Sequence, residues 1–295
     1  MQFEAGTSPP PHPDHPTLNS PQVVAAALAG EGYLADQGLA TAAYLAFALE
    51  QPLLLEGEAG VGKTEVARAL ASAMGAELIR LQYHEGIDLH HAVYDWDYQR
   101  QLLAIRAAEA GAPARELFGP EFLLRRPLLE ALEHEGGPAV LLIDEIDRAD
   151  DEFEAFLLEF LADFAITIPE LGTIVAAHRP LVILTSNRTR ELHDALKRRC
   201  LYHWIDYPTP EREAEIVRTR LPGVPEEVAA RVCAAVARLR ERELYKLPGV
   251  GETITWARAL LALDGAATLD DTLGVALKVR EDIDRVRRDR VLEGA

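Results

Sequence analysis

The residues best suited to chemistry form one short run, Gly57 to Thr64, which reads Gly-Glu-Ala-Gly-Val-Gly-Lys-Thr. Glycines let a backbone turn tightly, so that its N–H groups can surround a phosphate. Lys63 can then reach the outer phosphates of a nucleotide, and the Thr64 hydroxyl can hold Mg²⁺. The run predicts a site for ATP and Mg²⁺. The predicted nucleotide-binding residues of this run are Gly57, Glu58, Ala59, Gly60, Val61, Gly62, Lys63, Thr64 and the following Glu65.

Two predicted elements would position this loop. The apolar run at 52–56 suits a buried strand, and residues 65–74 carry apolar side chains at helical spacing. A helix that begins at the loop presents free N–H groups and the positive end of its dipole to the same anion. A chance glycine-rich loop is the alternative, and the flanking elements disfavour it.

A second candidate group is the acid pair Asp144 and Glu145, which ends the apolar run 139–145. An unbroken apolar run indicates a central parallel strand, and ligands of open α/β sheets bind at the carboxyl ends of such strands. We predict that Asp144 holds Mg²⁺ through water and that Glu145 orients and deprotonates the attacking water. A solvated acidic loop is the alternative; we interpret the nearby acids, among them Asp147, as a solvated helix start.

Asn187 follows another apolar strand, predicted at 181–185. Its side-chain amide can both donate and accept hydrogen bonds, so it can position the lytic water. An ordinary turn asparagine is the alternative.

Three arginines are candidates for stabilising the transition state. Arg198 and Arg199 follow a short predicted helix, and one of them, with Arg199 preferred, could enter the active site of a neighbouring subunit. A cationic helix C-terminus is the alternative. Arg258 lies in a predicted helix at 252–264 that could fold back over the nucleotide.

Tyr33 and Leu34 are the candidates for contact with the base, because they precede the phosphate loop in the chain. Ordinary packing of these side chains in the core is an equal alternative.

The remaining pattern predicts an α/β domain followed by a small all-α domain. A proline-rich segment, 1–20, is expected to be a disordered tail, and the two domains are predicted at 21–208 and 209–295. Residues 85–98 are interpreted as an irregular aromatic segment that contacts either a substrate or a neighbouring subunit. The other predicted elements are helices at 21–29, 38–50, 99–110, 127–135, 210–220, 225–243 and 269–292, a strand at 77–83, and a hairpin at 165–176 with a four-residue turn.

Composition limits the function classes. The formal net charge of −18 argues against nucleic acid as a partner, because phosphate backbones require basic surfaces. The two cysteines are far apart and form no metal-binding or redox motif, which indicates reduced thiols. We find no membrane-span pattern and no secretory signal, so we expect a soluble protein of the cytoplasm with no membrane insertion.

Taken in order, these motifs resemble those of the AAA+ ATPases over about residues 20–290. The phosphate loop is similar to Walker A and Val140–Glu145 to Walker B, while Asn187 is similar to the first sensor. Arg198 or Arg199 resembles the arginine finger, and Arg258 resembles the second-sensor arginine of the lid. The hairpin before the sensor strand is similar to that of the AAA+ clade with a pre-sensor hairpin, and within this clade the chain resembles the MoxR family. Two runs, 80–86 and 94–98, resemble the branch containing CoxD, the carbon monoxide dehydrogenase maturation ATPase.

The resemblance implies a three-layer αβα core with a parallel sheet and a helical lid. It also implies a hexameric ring, an ATP-driven chaperone role, a partner with a von Willebrand factor A domain, and a metalloenzyme client. Two other functions are compatible with the motifs: a DNA-acting motor subunit, which the acidic charge disfavours, and a nucleotide switch that does not hydrolyse, which the retained Glu145 disfavours.

Overall fold

A computed structural model of the chain describes residues 18–82, 92–109, 116–264 and 266–292. The strands in chain order are β1 (Leu53–Gly57), β2 (Leu78–Gln82), β3 (Tyr94–Trp96), β4 (Leu123–Arg125), β5 (Val140–Asp144), β6 (Ala165–Ile168), β7 (Gly172–Val175), β8 (Leu181–Ser186) and β9 (Leu201–Ile205). The α-helices of the described residues are α1 (Pro21–Gly30), α2 (Gln37–Ala48), α3 (Lys63–Met74), α4 (Tyr98–Glu109), α5 (Pro127–Leu132), α6 (Asp151–Asp163), α7 (Asp194–Lys197), α8 (Pro210–Arg220), α9 (Glu226–Arg240), α10 (Val250–Ala262), α11 (Leu273–Ala276) and α12 (Arg280–Arg288).

A five-stranded parallel sheet organises the first two thirds of the chain, with the order β2-β5-β8-β1-β9. Every residue of β1, β5 and β8 is buried, which fits the apolar runs with which they begin. The polar residues near their carboxyl ends, Glu56, Asp144, Thr185 and Ser186, are buried as well. Because the strands are parallel, the carboxyl ends of β5, β8 and β1 meet at one edge of the sheet. The predicted α/β class is confirmed.

Helices cover both faces of this sheet. Leu54, Leu141 and Ile143 pack on the face that carries α5 and α6. Side chains one residue away, such as Leu53 and Leu142, pack on the opposite face against α1, α2 and α3. The alternation follows from the two-residue period of a strand and gives three layers.

Strand β9 was missed by the sequence analysis. It pairs in parallel with β1, from Leu53 opposite Leu201 to Gly57 opposite Ile205. Its polar, aromatic sequence, Leu-Tyr-His-Trp-Ile, is only half-buried, as expected for the edge of a sheet, and therefore lacks the apolar run of the central strands.

The segment between β2 and β5 differs from the prediction of an irregular stretch. Tyr94–Trp96 forms β3, which pairs antiparallel with β4; His90 and His91 lie outside the described residues. Helix α4 forms where it was predicted, but it buries Gln101 and leaves Leu102 and Leu103 about 60% exposed. The predicted hairpin forms as β6 and β7, with three connecting residues instead of four, because Ile168 pairs with Gly172.

The helices from α8 onward have an apolar core of their own, built around the fully buried Trp256 and side chains of α9, α11 and α12. The single helix predicted at 269–292 is wrong. Leu277 is extended and buried between α11 and α12, so the chain turns there and brings both short helices onto this core.

The tail predicted at 1–20 lies outside the described residues up to position 17. At 18–20 the structure differs from that prediction. Leu18 is buried against the core, and the Ser20 hydroxyl accepts a hydrogen bond from Val23 N–H, which caps α1. Across the described residues, none of the helices combines the length and apolarity that crossing a membrane requires.

Candidate nucleotide-binding and hydrolysis site

The phosphate loop connects β1 to α3, as the sequence predicts. Gly60 and Gly62 have φ values of 81° and 98°, in the left-handed region that favours glycine. Gly62 caps α3 and offers no side-chain oxygen to the free N–H groups of the helix. These donors and the helix dipole form an anion site at the carboxyl edge of the sheet.

Lys63 is buried, and its Nζ donates to the carbonyl oxygens of Gly57 and Glu58 at 2.8 Å each. Burial lowers the pKa of this amine, while the negative charges of Asp147 and Asp144 act in the opposite direction. The cation is thus enclosed by the loop that it would share with a phosphate.

Asp144 ends β5 and is almost fully buried. The Thr64 hydroxyl lies 3.1 Å from its Oδ1, and the Thr185 hydroxyl donates to the same oxygen at 2.5 Å. Its Oδ2 accepts from Arg80 Nη2 at 2.5 Å. Mg²⁺ binds hard oxygen ligands and keeps several waters, so the adjacent Thr64 hydroxyl and Asp144 carboxylate fit this ion.

Glu145 leaves the strand with φ 58°, and its N–H donates to Thr185 Oγ1 at 3.1 Å. Its carboxylate pairs with Arg148 Nε at 3.2 Å and keeps partial access to solvent. The Thr185 hydroxyl therefore contacts both neighbouring acids. It binds the side-chain carboxylate of Asp144 and the main-chain N–H of Glu145.

Asn187 directly follows β8, which lies between β5 and β1, so the half-buried residue is at the same edge as the loop and the acid pair. Its position is fixed by its neighbours. Ser186 Oγ contacts the buried carboxylate of Glu56 at 3.3 Å and accepts from Arg188 N–H at 3.0 Å. Tyr202 OH donates to the other oxygen of Glu56 at 3.1 Å.

The prediction that Asp147 belongs to a solvated helix start is wrong. It is buried, and its Oδ2 accepts from the N–H and hydroxyl of Thr189 at 2.8 and 2.7 Å. The carboxylate ties the segment after the acid pair to the segment after Asn187.

Tyr33 is half-buried beside the loop, and its ring would lie 3.7 Å from a Cβ added at Gly62. Burial raises the pKa of its phenol, with smaller contributions from Asp36 and Glu65. The ring lines a cavity beside α3. Arg220 of α8 also lines this cavity and forms an ion pair with Glu65 of α3 at 2.8 Å. Leu34 is also half-buried.

The start of α10 and the segment between β9 and α8 contact the loop directly. Val250 N–H, at the start of α10, donates to Gly60 O at 2.9 Å, and Tyr207 OH donates to Ala59 O at 3.1 Å. Arg258 belongs to the same helix but is exposed, eight residues after Val250, which is about 12 Å along the axis. The start of α10, rather than Arg258, is the part of this helix that touches the loop.

Arg198 and Arg199 differ in their surroundings although both are exposed. Arg199 Nη1 donates to Leu158 O of α6 at 2.6 Å. The guanidinium of Arg198 has no hydrogen-bond or ion-pair partner among the residues that the structure describes.

Several of these contacts involve residues for which the sequence predicts no role, namely Thr185, Arg148 and Glu56. Arg80 belongs to a run that resembles a family motif, but its contact with Asp144 is not predicted. Thr185 was recognisable as the polar residue that ends an apolar strand. The alternation in β2, where Ile79 and Leu81 are buried, could have placed the Arg80 side chain on the other face, but its contact with Asp144 depends on the pairing of β2 with β5.

Comparison with known proteins gives one family. The model of the AAA domain, dynein-related subfamily, matches residues 52–200, which include the loop, both acids and Asn187. A search of curated proteins finds no match.

Proposed function

This chain belongs to the AAA domain family, in its dynein-related subfamily, and from this premise we propose that it is a Mg²⁺-dependent ATPase of the MoxR type that remodels or matures a client protein. The observation that carries the proposal is a chain of contacts at the edge of the sheet where the phosphate loop lies: the Thr64 hydroxyl contacts Asp144, and Thr185 bridges Asp144 and Glu145.

The roles of the residues follow from their positions. The loop N–H groups and Lys63 bind the phosphates, and Thr64 with Asp144 would hold Mg²⁺. The ion neutralises charge on the phosphate oxygens when it is bound. Glu145 takes the proton of the attacking water, and Asn187 orients that water from the neighbouring strand.

The arginine finger is assigned to Arg198 rather than to the initially preferred Arg199. A finger must leave its own subunit and reach the nucleotide of the next one. Arg199 is anchored to the Leu158 carbonyl, whereas the exposed Arg198 has no such contact within the described residues. Arg258 remains the candidate for the second-sensor arginine, although within the described residues its side chain makes no hydrogen bond or ion pair with the loop of its own subunit.

The client and the assembly rest on the sequence motifs. The runs Arg80–Gly86 and Tyr94–Tyr98 resemble those of the CoxD branch, and the hairpin β6–β7 resembles that of the wider clade to which the MoxR family belongs. They support a hexameric ring, a partner with a von Willebrand factor A domain, a metalloenzyme client, and a division into an ATPase domain at 21–208 and a lid at 209–295. Both cysteines are free, which supports a reducing compartment such as the cytoplasm.

Hydrolysis is tested with Glu145→Gln in the assembled full chain. We expect the ATPase rate to fall by about 10² to 10⁴-fold while binding of ADP is retained. Glu152→Gln, which changes an exposed acid of α6, is the matched control and should keep the wild-type rate. If the assembled wild type with its partner did not hydrolyse ATP, the proposed ATPase activity would be refuted and a nucleotide switch would be favoured.

The client is tested by purifying tagged wild type and Glu145→Gln from native cells with ATP, followed by mass spectrometry. The slowed variant should hold its ATP-bound assembly together. Enrichment of a von Willebrand-type protein with a metalloenzyme subunit supports the maturation role. Recovery of DNA-processing proteins instead would support a DNA-acting motor.

A further inference from the structure

The carboxylate expected to receive Mg²⁺ already has a cationic partner. Arg80 Nη2 lies 2.5 Å from Asp144 Oδ2, and the Asp144 side chain is only 6% exposed. The Thr64 and Thr185 hydroxyls contact Oδ1. A carboxylate offers about four lone-pair sites, so three donors leave little capacity for another ligand.

The pairing of β2 with β5 explains this contact. Gln82 is opposite Asp144 and Arg80 is opposite Leu142, so Arg80 is the diagonal neighbour of Asp144 on the same face of the sheet. Because β2 is an edge strand, the Arg80 side chain remains 36% exposed. The side chain of Arg80 therefore borders solvent, into which it can move.

We propose that Arg80 is a positioning residue that competes with Mg²⁺ for the Asp144 carboxylate. Its guanidinium compensates the negative charge of this buried carboxylate and orients it. The adjacent guanidinium would repel a divalent ion at Thr64 and Asp144 unless the arginine side chain moved away. This inference rests on the proposed function, because it concerns the metal ion of the same site.

The competition would couple metal binding to nucleotide binding. The metal alone gains Thr64 and Asp144 but must displace Arg80. The metal with a nucleotide also gains phosphate oxygens as ligands, which offsets that displacement. The site would thus take up the metal and the nucleotide together, and Arg80 would set the metal concentration that is required.

The test measures Mn²⁺ binding to the purified full chain from the EPR signal of the free ion, with and without ADP. Arg80→Gln removes the charge, and we expect its Kd for Mn²⁺ to fall on the order of tenfold, because repulsion between a single and a double charge a few ångströms apart remains appreciable even at the dielectric constant of water. Arg80→Lys keeps the charge and should stay near the wild type. Arg80→Met repeats the test if the glutamine variant fails to fold.

Arg125→Gln is the matched control, because Arg125 makes an ion pair of the same length, 2.5 Å, with Glu133 and belongs to β4, outside the main sheet. It should leave Mn²⁺ binding unchanged. An unchanged or higher Kd in Arg80→Gln, or equal gains in the lysine and glutamine variants, would overturn the competition. If ADP strengthens Mn²⁺ binding in none of the proteins, the proposed function fails, and the comparison without ADP still decides the role of Arg80.

Discussion

Lys63 is a buried cation whose hydrogen bonds stay within the phosphate loop. Burial lowers the pKa of its amine, and two loop carbonyls accept its hydrogen bonds. These carbonyls are weaker partners for a cation than a charged phosphate oxygen. Under the proposed function, a phosphate would therefore be a stronger partner for Lys63 than either carbonyl.

The two adjacent arginines give a prediction at the residue scale. Arg198→Ala should lower the ATPase rate of the assembled protein by about 10³-fold or more, because a finger stabilises transition-state charge. Arg199→Ala should mainly cost about 1 kcal/mol of stability, since it removes one hydrogen bond to Leu158 O. Steady-state ATPase assays and thermal melts of both variants separate the two effects. The assignment of the finger is wrong if their effects are reversed.

The cysteines give a pH-dependent prediction. Burial raises the pKa of the Cys200 and Cys233 thiols to about 12 each, whereas thiols of the unfolded chain ionise near ~8.5. Above that pH the folded state binds more protons than the unfolded state. The free energy of unfolding is therefore unaffected by these thiols below the pKa of the unfolded chain and falls as the pH rises above it. Each thiol can contribute a slope of up to about 1.4 kcal/mol per pH unit.

Urea unfolding at several pH values between about 8 and 11, under reducing conditions, checks this prediction. The variant with both cysteines changed to Ala should be less stable at neutral pH but should lose less stability per pH unit above ~9. If the free energy of unfolding of the two proteins fell equally per pH unit, the raised pKa values of the two thiols would be contradicted.

At the scale of elements, the contact between the phosphate loop and α10 depends on two glycines. A Cβ added at Gly249 would lie 2.6 Å from Gly60 Cα, and one added at Gly60 would lie 2.8 Å from Gly249 Cα. Neither main chain can yield like a flexible side chain. The start of α10 can therefore approach the loop only because both positions lack a side chain.

Gly249→Ala should therefore push α10 away from the loop. We expect a loss of stability of about 1–3 kcal/mol and weaker binding of ADP, measured by thermal melts and a fluorescent ADP analogue. Gly251→Ala is the matched control. Gly251 belongs to α10, and a Cβ added there would have no neighbouring atom within 4 Å. That change should stabilise the helix by about 0.5–1 kcal/mol, and similar effects of the two substitutions would argue against the glycine contact.

At the scale of the whole molecule, charge opposes assembly. Each chain carries a formal net charge of −18, so identical copies repel one another at long range. Raising the ionic strength from about 0.01 M to about 0.15 M shortens the screening length from roughly 30 Å to 8 Å. Salt should weaken this repulsion more than it weakens close contacts within an interface.

We therefore expect higher salt, within this range, to favour oligomers of Glu145→Gln with Mg²⁺ and ATP, as measured by analytical ultracentrifugation. DNA binding should be absent at both salt concentrations, because it requires a basic surface. Dissociation of the oligomer by moderate salt would instead show that ion pairs between subunits dominate the assembly.

The sequence alone determined the central features of this protein. The strands β1, β5 and β8 and the loop before α3 were predictable because unbroken apolar runs and a glycine-rich phosphate motif leave few alternative conformations. The ends of those strands then indicated Asp144, Glu145 and Asn187, since polar residues after buried parallel strands meet at one edge of a sheet.

Only the tertiary structure decided which groups touch. The edge strand β9 has no apolar run, and the break at Leu277 has no local signal, because both depend on packing against distant elements. The pairing of β2 with β5 brought Arg80 to Asp144, 64 positions away in the chain. Residue types and local spacing encode the elements and their chemistry, whereas contacts between distant residues follow from the register and packing of those elements.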